Sequence, residues 1–355
     1  MTAKKSNILR LLLFLFGFSQ FFVKIEPGPA ELILLPLILY TKTKALTHPV
    51  TISLFAGNLI ALSLETFIFG SASWSITSIY LTLCFVVVLS SLYRIGLEAY
   101  KAIIIGGCFA CITTLAILIT TKSPDLYKYG IRFTGFFKDP NVTAPTALFF
   151  GIAALFLSGR SKFLAIFPLI IFAIAISRAS YIALACATLI TASIGSPVRT
   201  YLAIASVSML TILKDYIIAI ANTFFSAIGR GGIVNSYDND RSSNWISLVS
   251  NWSSQILPLA PTYSEQNGYA THSTPLRLLV EQGVISTTLF FFACFLATKS
   301  TQPRLLLLAL LSLIINGIVV DATHWRVLFI ALAISIGAAY LKSNMLPHSG
   351  HSKNY

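Results

Sequence analysis

Long apolar runs recur along almost the whole chain, and they constrain the fold more than any other feature. Each run has about 15–22 residues, which suits a helix that crosses the hydrocarbon core of a bilayer. Lipid offers no hydrogen-bond partners, so each apolar segment must satisfy its own backbone, as a helix does. Charged residues make up only 10% of the 355 residues, against about a quarter in soluble domains. The sequence therefore predicts an all-α polytopic membrane protein.

Twelve spans account for the runs. A single helix over 163–195 would be about 50 Å long, too long for a hydrocarbon core of about 30 Å. The run is therefore divided at "SRAS", residues 177–180. The predicted spans are 8–23, 30–41, 49–70, 74–93, 102–120, 141–158, 163–177, 179–195, 199–213, 285–298, 304–320 and 325–341.

Charge sets the predicted orientation. With both termini in the cytoplasm, the short cytoplasmic connections carry most of the basic residues, as the positive-inside rule expects. This distribution explains the net charge of +13 without a nucleic-acid partner. The long hydrophilic segment 214–284, between spans nine and ten, then lies outside, as does 121–140. Residues 1–355 are expected to form one integral membrane domain, with its function on the outer face.

Two further motifs lie on the predicted outer face. One is in segment 121–140 and leads into span six, and the other lies between spans seven and eight. In "RFTGFFKDPN", Asp139 is a predicted N-cap and Pro140 the first helical residue, so a helix opens at Asn141, behind Arg132. Ordinary helix-start chemistry is the alternative there. In "AISRASY", Arg178 has apolar neighbours on both sides. A charge near membrane depth is costly and indicates a functional site, with snorkelling to the interface as the alternative.

The long external segment contains an amphipathic pattern that begins at Arg241, in "DRSSNWISLVSNWSSQI". At about 100° per residue, one face holds Arg241 and a set of apolar residues. That set is Trp245, Leu248, Val249, Trp252 and Ile256. The pattern predicts a helix on the membrane surface. An interfacial anchor explains the tryptophans, and a ligand-binding role better explains the arginine.

The end of the same segment reads "THSTPLRLLVEQG". Thr274 is a predicted N-cap and Pro275 the first helical residue, which places His272 at a helix mouth that favours anions. Arg277 and Glu281 are four residues apart and can pair on the helix surface. A loop histidine is often incidental, but one beside anion-binding arginines can serve as a general base.

A last external cluster, "DATHWR", supplies Asp321, His324 and Arg326 between spans eleven and twelve; Trp325 and Arg326 could also form an interfacial belt. The sequence shows no metal-ligand spacing, no phosphate-binding glycine loop and no nucleotide-sugar site, so no metal and no cofactor are expected. External arginines with a histidine beside a membrane indicate a diphosphate held at the lipid headgroups, because guanidinium binds phosphate in a bidentate manner.

In their order along the chain, "RFTGFFKDPN", "SRAS", "DRSSNW" and "THSTPLRLLVEQG" resemble the motifs of the O-antigen ligase / O-antigen polymerase family. The resemblance extends to the plan of twelve spans with one large periplasmic loop between helices 9 and 10, a GT-C-like architecture in the bacterial inner membrane. The forms "FKDPN" and "DATHWR" look more like the polymerases of O-antigen and exopolysaccharide.

The resemblance implies metal-independent glycosyl transfer, with inversion, from an undecaprenyl-diphosphate-linked glycan at the periplasmic face. By motif, Arg178 and Arg241 would hold the diphosphate, and His272 would activate or orient the acceptor hydroxyl. The secondary candidates are Arg132, Asn141, Arg277, Glu281, Asp321, His324 and Arg326. One departure is that the family usually has His–Asn where this chain has His272–Ser273. Implied partners are the glycan or lipid A–core acceptor, membrane lipid and a chain-length regulator.

Other functions compete with polymerisation of repeat units. A ligase that moves the glycan to lipid A–core shares the donor and the chemistry and differs only in its acceptor. A secondary transporter or lipid-carrier flippase would show inverted repeats with charges at the midplane, whereas polar residues here collect on one face. A non-catalytic scaffold of a polysaccharide assembly complex is a further alternative.

Overall fold

The structure is a computed structural model. It describes residues 3–23, 28–70, 73–121, 123–128, 132–137, 139–194, 238–253, 257–259, 263, 273–301, 304–322 and 325–345. Predicted span nine and most of the long external segment therefore lie outside the described residues. Within the described ranges the chain is mostly helical, as the sequence predicts.

The described residues form the following helices, given in chain order. They are α1 (Ala3–Ser19), α2 (Pro29–Ile38), α3 (Thr43–Leu46), α4 (Pro49–Phe69), α5 (Ser73–Ile95), α6 (Leu97–Thr121), α7 (Pro140–Leu155), α8 (Ile166–Ile174), α9 (Arg178–Ser193), α10 (Asp238–Ser253), α11 (Thr274–Ser300), α12 (Arg304–Val319) and α13 (Arg326–Met345). Short 3-10 helices occupy Pro124–Leu126 and Gly159–Ala165. Strands β1 (Tyr127–Lys128) and β2 (Arg132–Phe133) pair antiparallel before α7.

Four of the described helices are long and apolar enough to cross a membrane, namely Pro49–Phe69, Ile76–Ile95 within α5, Leu97–Thr121 and Thr274–Ser300. Large apolar side chains also point away from the protein: Phe67 is 89% exposed and Leu39 83% exposed. Such exposure is costly in water and ordinary in lipid. The chain is thus an α-helical protein with membrane-spanning segments.

Several of the other apolar helices, such as α2, α7 and α8, are shorter than their predicted spans. α2 has 10 residues and contains Pro36, and at about 1.5 Å per residue it is too short to cross the bilayer by itself. The predicted break between spans seven and eight is confirmed. α8 ends at Ile174 and α9 begins at Arg178, and Ile176 between them adopts a positive φ of 48°.

Close helix pairs build the bundle. α1 packs along α6, α4 along α11, α9 along α12, and α5 along α13. The first pair approaches so closely that a Cβ on Gly17 would lie 2.1 Å from the Ile103 carbonyl oxygen, so only glycine fits there. Small residues at such contacts let membrane helices approach each other's backbone. The core lies mainly between α5, α6, α7 and α13.

α11 is kinked at Gly283, which has φ 83° and ψ 172°. The kink separates an N-terminal piece, 274–282, from the remainder of the helix, 284–300. Beside the kink, the Val280 carbonyl accepts a hydrogen bond from the Leu259 amide at 2.8 Å. Pro258 lies so close that a Cβ on Gly283 would be 3.2 Å from its Cδ.

The helix predicted at Arg241 is present as α10, which contacts α11. Leu248, on its predicted apolar face, is fully buried, whereas Val249 on the same face is exposed. At least part of the apolar face therefore packs on protein. A second difference concerns α11: its N-cap residue is Ser273 and not Thr274. The Thr274 hydroxyl oxygen instead accepts a hydrogen bond from the Ala322 amide at 2.7 Å.

Candidate functional site

The start of α7 forms as predicted and holds an arginine. Asp139 is the N-cap, and its Oδ1 accepts a hydrogen bond from the Asn141 amide at 2.7 Å, with Pro140 in the first turn. Arg132 lies in β2 and is 6% exposed. Its Nη2 donates to Asn141 Oδ1 at 2.8 Å. This bond satisfies a guanidinium donor with a neutral amide oxygen.

A chain of hydrogen bonds runs from Asn141 to two further helices. Ser177 Oγ donates to Asn141 Oδ1 at 3.1 Å, and Ser180 Oγ donates to Ser177 Oγ at 3.0 Å. Asn316 Nδ2, near the end of α12, donates to Ser180 Oγ at 2.9 Å. Arg178 follows Ser177 directly and is 7% exposed. We call the set Arg132, Asn141, Ser177, Arg178, Ser180 and Asn316 the arginine junction.

The junction brings together residues from motifs that are far apart in the sequence. Asn141 Oδ1 accepts from Arg132 and from Ser177, so "RFTGFFKDPN" and "SRAS" meet at one oxygen atom. The positive φ of Ile176 turns the chain between α8 and α9 and so carries Ser177 and Arg178 to this point. Strain in the backbone often accompanies a functional site.

A second cluster is built on the N-terminal piece of α11, residues 274–282. Arg277 Nε donates to Glu281 Oε2 at 3.1 Å, and Arg277 Nη1 donates to Asp321 Oδ2. The sequence predicts the first contact as a surface pair, but Glu281 is only 2% exposed. Asp321 lies just after α12. Arg277 therefore joins two carboxylates, and the three side chains form a largely buried triad. Loss of one partner from such an arrangement is costly, because the remaining charge is left buried.

A third cluster surrounds a cavity of about 500 Å³. Arg326, at the start of α13, donates from Nη1 to Glu31 Oε1 at 2.9 Å, and the Tyr80 hydroxyl donates to the same oxygen at 3.1 Å. We call this space the Glu31 cavity. Its wall consists of Gln20, Val23, Gly28, Glu31, Thr77, Tyr80, Leu81, Phe137, Asp139, Val142, Thr146, Trp325, Arg326 and Val327.

The three clusters adjoin one another at the ends of the helices. Asp139 lies in the wall of the Glu31 cavity and also caps α7, which carries Asn141 of the junction. The hydrogen bond from the Ala322 amide to Thr274 joins the segment after Asp321 to α11, and that segment leads to Trp325. In the predicted topology all of these helix ends lie on the outer face.

Several predicted site residues lie outside this description. His272 and His324 are not among the described residues. Arg241 lies in α10, but its side chain is not described. Arg178 is not part of the wall of the Glu31 cavity, whereas Arg326 is. Among the described residues, no group of three or more His, Cys, Asp or Glu side chains could hold a metal ion.

Sequence reasoning missed Glu31, although the signal was present. An acidic residue inside an apolar run is a functional-site hypothesis by default, and Glu31 opens the second predicted span. Tyr80 and Asn316 carried no such signal, because a hydroxyl or an amide in an apolar run is common in membrane helices. Their roles depend on contacts across 49 and 136 residues of sequence, with Glu31 and Ser180 respectively.

No protein-family model matches the chain, and a search of curated proteins finds no match. The functional assignment therefore rests on the residues and their geometry.

Proposed function

We propose that the protein is a metal-independent glycosyltransferase that uses an undecaprenyl-diphosphate-linked glycan as donor at the periplasmic face of the bacterial inner membrane. In the favoured form it polymerises repeat units of O-antigen or exopolysaccharide. The proposal includes twelve spans, cytoplasmic termini and one large periplasmic loop that carries part of the active site.

The observation that most supports the proposal is the arginine junction. Arg132 and Ser177, the neighbour of Arg178, both donate to Asn141 Oδ1, so two separately identified motifs meet. A lipid diphosphate carries several negative charges and needs fixed donors close to the bilayer surface. Guanidinium groups held at helix ends are suited to this task, because their planar fork can bind two phosphate oxygens at once.

Each residue then has a definite role in the proposal. Arg178 and Arg241 bind the diphosphate, which stabilises the leaving group as the bond to the anomeric carbon breaks. His272 accepts the proton of the acceptor hydroxyl as that hydroxyl attacks the anomeric carbon. Arg132 and Asn141 orient the start of α7 toward the diphosphate. Arg277 serves mainly as a structural residue, since both Glu281 and Asp321 accept from it.

Glycan transfer in membrane vesicles supplied with the lipid-linked donor tests these roles. Arg178→Ala, Arg241→Ala and His272→Ala should each reduce turnover by about 10²–10³-fold, as the loss of one charge-stabilising group commonly does. Arg160→Ala is the matched control, because Arg160 is exposed in the 3-10 helix Gly159–Ala165. Normal turnover in all three variants, at protein levels equal to the control, would refute the assignment of the site.

Reporter fusions test the proposed topology. Fusions after residues 100 and 160 should report the cytoplasm, and fusions after 125 and 265 should report the periplasm. A cytoplasmic signal after 265 would place Arg241 and His272 on the wrong side for a periplasmic donor and would end the proposal.

The acceptor separates polymerase from ligase. In a deletion strain, loss of a polymerase should leave lipid A–core capped by a single repeat unit, or remove exopolysaccharide. Loss of a ligase should leave full-length glycan on the lipid carrier. Gel analysis of lipopolysaccharide and of the lipid-linked pool distinguishes the two, and the second result would reassign the protein as the ligase.

A further inference from the structure

The Glu31 cavity has the size and wall of a site for a small polar ligand. Its volume of about 500 Å³ lies within the range of about 300–1,000 Å³ typical of small-molecule sites. Most of its wall is apolar, and a few charged and polar side chains converge on it. Glu31, Tyr80 and Arg326 are fixed relative to one another by two hydrogen bonds to Glu31 Oε1.

The charge of the described wall argues against an anion. The wall contains the carboxylates of Glu31 and Asp139 and the guanidinium of Arg326, and this guanidinium is bound to Glu31. Among the described wall residues, a diphosphate would therefore have to compete with Glu31 for the guanidinium of Arg326. Carboxylates are acceptors only and form strong hydrogen bonds with hydroxyl donors. The wall suits a neutral ligand that carries many hydroxyl groups.

The aromatic residues point to the same chemistry. Tyr80, Phe137 and Trp325 supply three rings to the wall, and aromatic rings offer apolar surface together with a polar edge in tyrosine and tryptophan. A sugar ring presents apolar C–H groups on its faces and hydroxyls around its rim. Rings and carboxylates in one cavity can therefore contact both parts of a sugar.

Three polar atoms of wall residues are buried without a hydrogen-bond partner in the part of the chain that the structure describes. They are Gln20 Oε1, Glu31 Oε2 and Trp325 Nε1. Unsatisfied buried polar atoms are costly, and each calls for an explanation. These three atoms are enclosed by protein, so a sugar hydroxyl would pair with them only after the Gln20, Glu31 or Trp325 side chain turned toward the cavity.

We propose that the Glu31 cavity binds a neutral saccharide unit of the glycan beside the arginine junction. The inference rests on the proposed glycosyl transfer, for which it supplies the sugar-binding position. Asp139 connects the two places, because it lies in the cavity wall and its Oδ1 accepts from the Asn141 amide. A sugar in the cavity and a diphosphate at the junction would thus contact the same end of α7.

Direct binding tests the proposal without any need for turnover. The full-length protein in lipid nanodiscs is titrated with the repeat-unit oligosaccharide, released from the lipid carrier by mild acid, and binding is followed by saturation-transfer NMR. Glu31→Gln and Trp325→Phe should each raise the Kd about tenfold or more. Val142→Phe, which fills the cavity with an added ring, should abolish binding.

Matched controls separate binding from folding. Glu98→Gln removes a carboxylate that is ion-paired with Arg10 and Lys101 outside the cavity. Trp252→Phe removes an indole N–H that is also buried and without a partner among the described residues, on α10. Both controls should leave the Kd unchanged. The Kd of a variant is interpreted only if its thermal unfolding midpoint equals that of wild type. Should Glu31→Gln fail to fold, Trp325→Phe still tests the site, because it keeps an aromatic ring.

The outcomes distinguish this inference from the proposed function. If transfer in vesicles requires Arg178 while Glu31→Gln and Trp325→Phe bind oligosaccharide like wild type, the sugar site is wrong and the glycosyl transfer stands. If those variants weaken binding but no lipid-linked donor is turned over, the sugar site stands and the transfer falls. Displacement of the oligosaccharide by inorganic diphosphate, with tighter diphosphate binding in Glu31→Gln, would overturn the sugar site in favour of an anion site.

The sugar could belong to the acceptor or to the donor, and kinetics assign it. Vesicles receive labelled lipid-linked donor and free oligosaccharide as acceptor. A rise in KM for the oligosaccharide alone in Trp325→Phe assigns the cavity to the acceptor end, and a rise for the donor alone assigns it to the donor sugar. Unchanged KM values for both, with wild-type kcat, would count against a sugar site.

Discussion

The arginine junction and the Arg277 triad use the same side chain in different chemical settings. In the triad, one guanidinium donates to the carboxylates of Glu281 and Asp321. In the junction, Arg132 donates to the neutral amide oxygen of Asn141. A carboxylate neutralises the charge of an arginine, whereas an amide only satisfies a donor. The same side chain thus binds two carboxylates at Arg277, whereas at Arg132 one of its nitrogens binds a neutral amide oxygen that also accepts from Ser177.

The largest expected effect is loss of stability when the triad is broken. Arg277→Ala leaves the Glu281 and Asp321 carboxylates buried together, and removal of one partner of a buried ion pair costs about 3–5 kcal/mol. The unfolding transition of the purified protein in detergent measures this loss. Arg304→Ala is the control, because Arg304 is exposed at the start of α12. Equal stability of the two variants would show that the triad does not hold the fold.

The second prediction concerns the junction. Arg178→Lys keeps a positive charge but loses the planar fork, so transfer should fall by about 10–100-fold while the fold is retained. The vesicle assay and the unfolding midpoint are measured on the same preparations. A variant that unfolds early and transfers normally per folded molecule would assign Arg178 to structure, like Arg277.

The third prediction concerns a carboxylate placed at position 141, where Arg132 now contacts a neutral amide. Asn141→Asp keeps an oxygen in place to accept from Arg132 and Ser177, but it places a carboxylate beside the guanidinium. We expect normal stability and at least about a tenfold loss of transfer, because a negative charge at position 141, next to Ser177 and Arg178, repels the diphosphate. A higher KM for the lipid-linked donor is the expected signature. Full activity in this variant would count against a diphosphate bound at the junction.

The smallest effect is expected at the other end of the bundle in the predicted topology, at His48. His48 caps α4, where its Nδ1 accepts from the Val50 amide at 3.3 Å, and burial lowers the pKa of its imidazole. The unfolded chain therefore binds a proton at higher pH than the folded chain. This contribution to stability is fully present above pH of about 6.5 and falls as the pH drops toward the lowered pKa.

The variant His48→Asn isolates this contribution. Asparagine caps a helix but does not titrate in this range. Unfolding midpoints between pH 7 and pH 5 should fall more steeply for wild type than for the variant. Parallel pH profiles would contradict the lowered pKa.

Local signals in the sequence predicted local features of the fold well. The cap at Asp139 follows from an Asp side chain just before a proline. The break before Arg178 follows from an apolar run too long for one helix to fit the bilayer. The long helices α4, α5 and α6 followed from hydropathy alone. Hydropathy did not predict that α2 is short. An apolar run indicates burial or lipid contact, but it does not show at which residue the helix ends, here shortly after Pro36.

Long-range contacts could not be predicted. The sequence placed Arg277 four residues from Glu281 but gave no sign that both are buried or that Asp321, 44 residues away, completes the triad. For the same reason the meeting of Arg132 with Ser177 at Asn141 was not foreseen. Periodicity determines which face of a helix a residue occupies, but not which other helix that face contacts. Arg178 and Arg241 stay predictions as substrate ligands.

The kink at Gly283 has a consequence for how the segment around Pro258 is attached to α11. In an unbroken helix the Val280 carbonyl would be committed to an amide of the following turn. The interruption releases this acceptor, and the Leu259 amide uses it, with Pro258 lying against Gly283. The break in the helix thus provides an attachment point. Through it, residues 258 and 259, which precede α11 by more than a dozen residues, are bound to that helix. Replacing Gly283 by alanine would strain the backbone and push against Pro258, and so weaken the hydrogen bond between Leu259 and Val280.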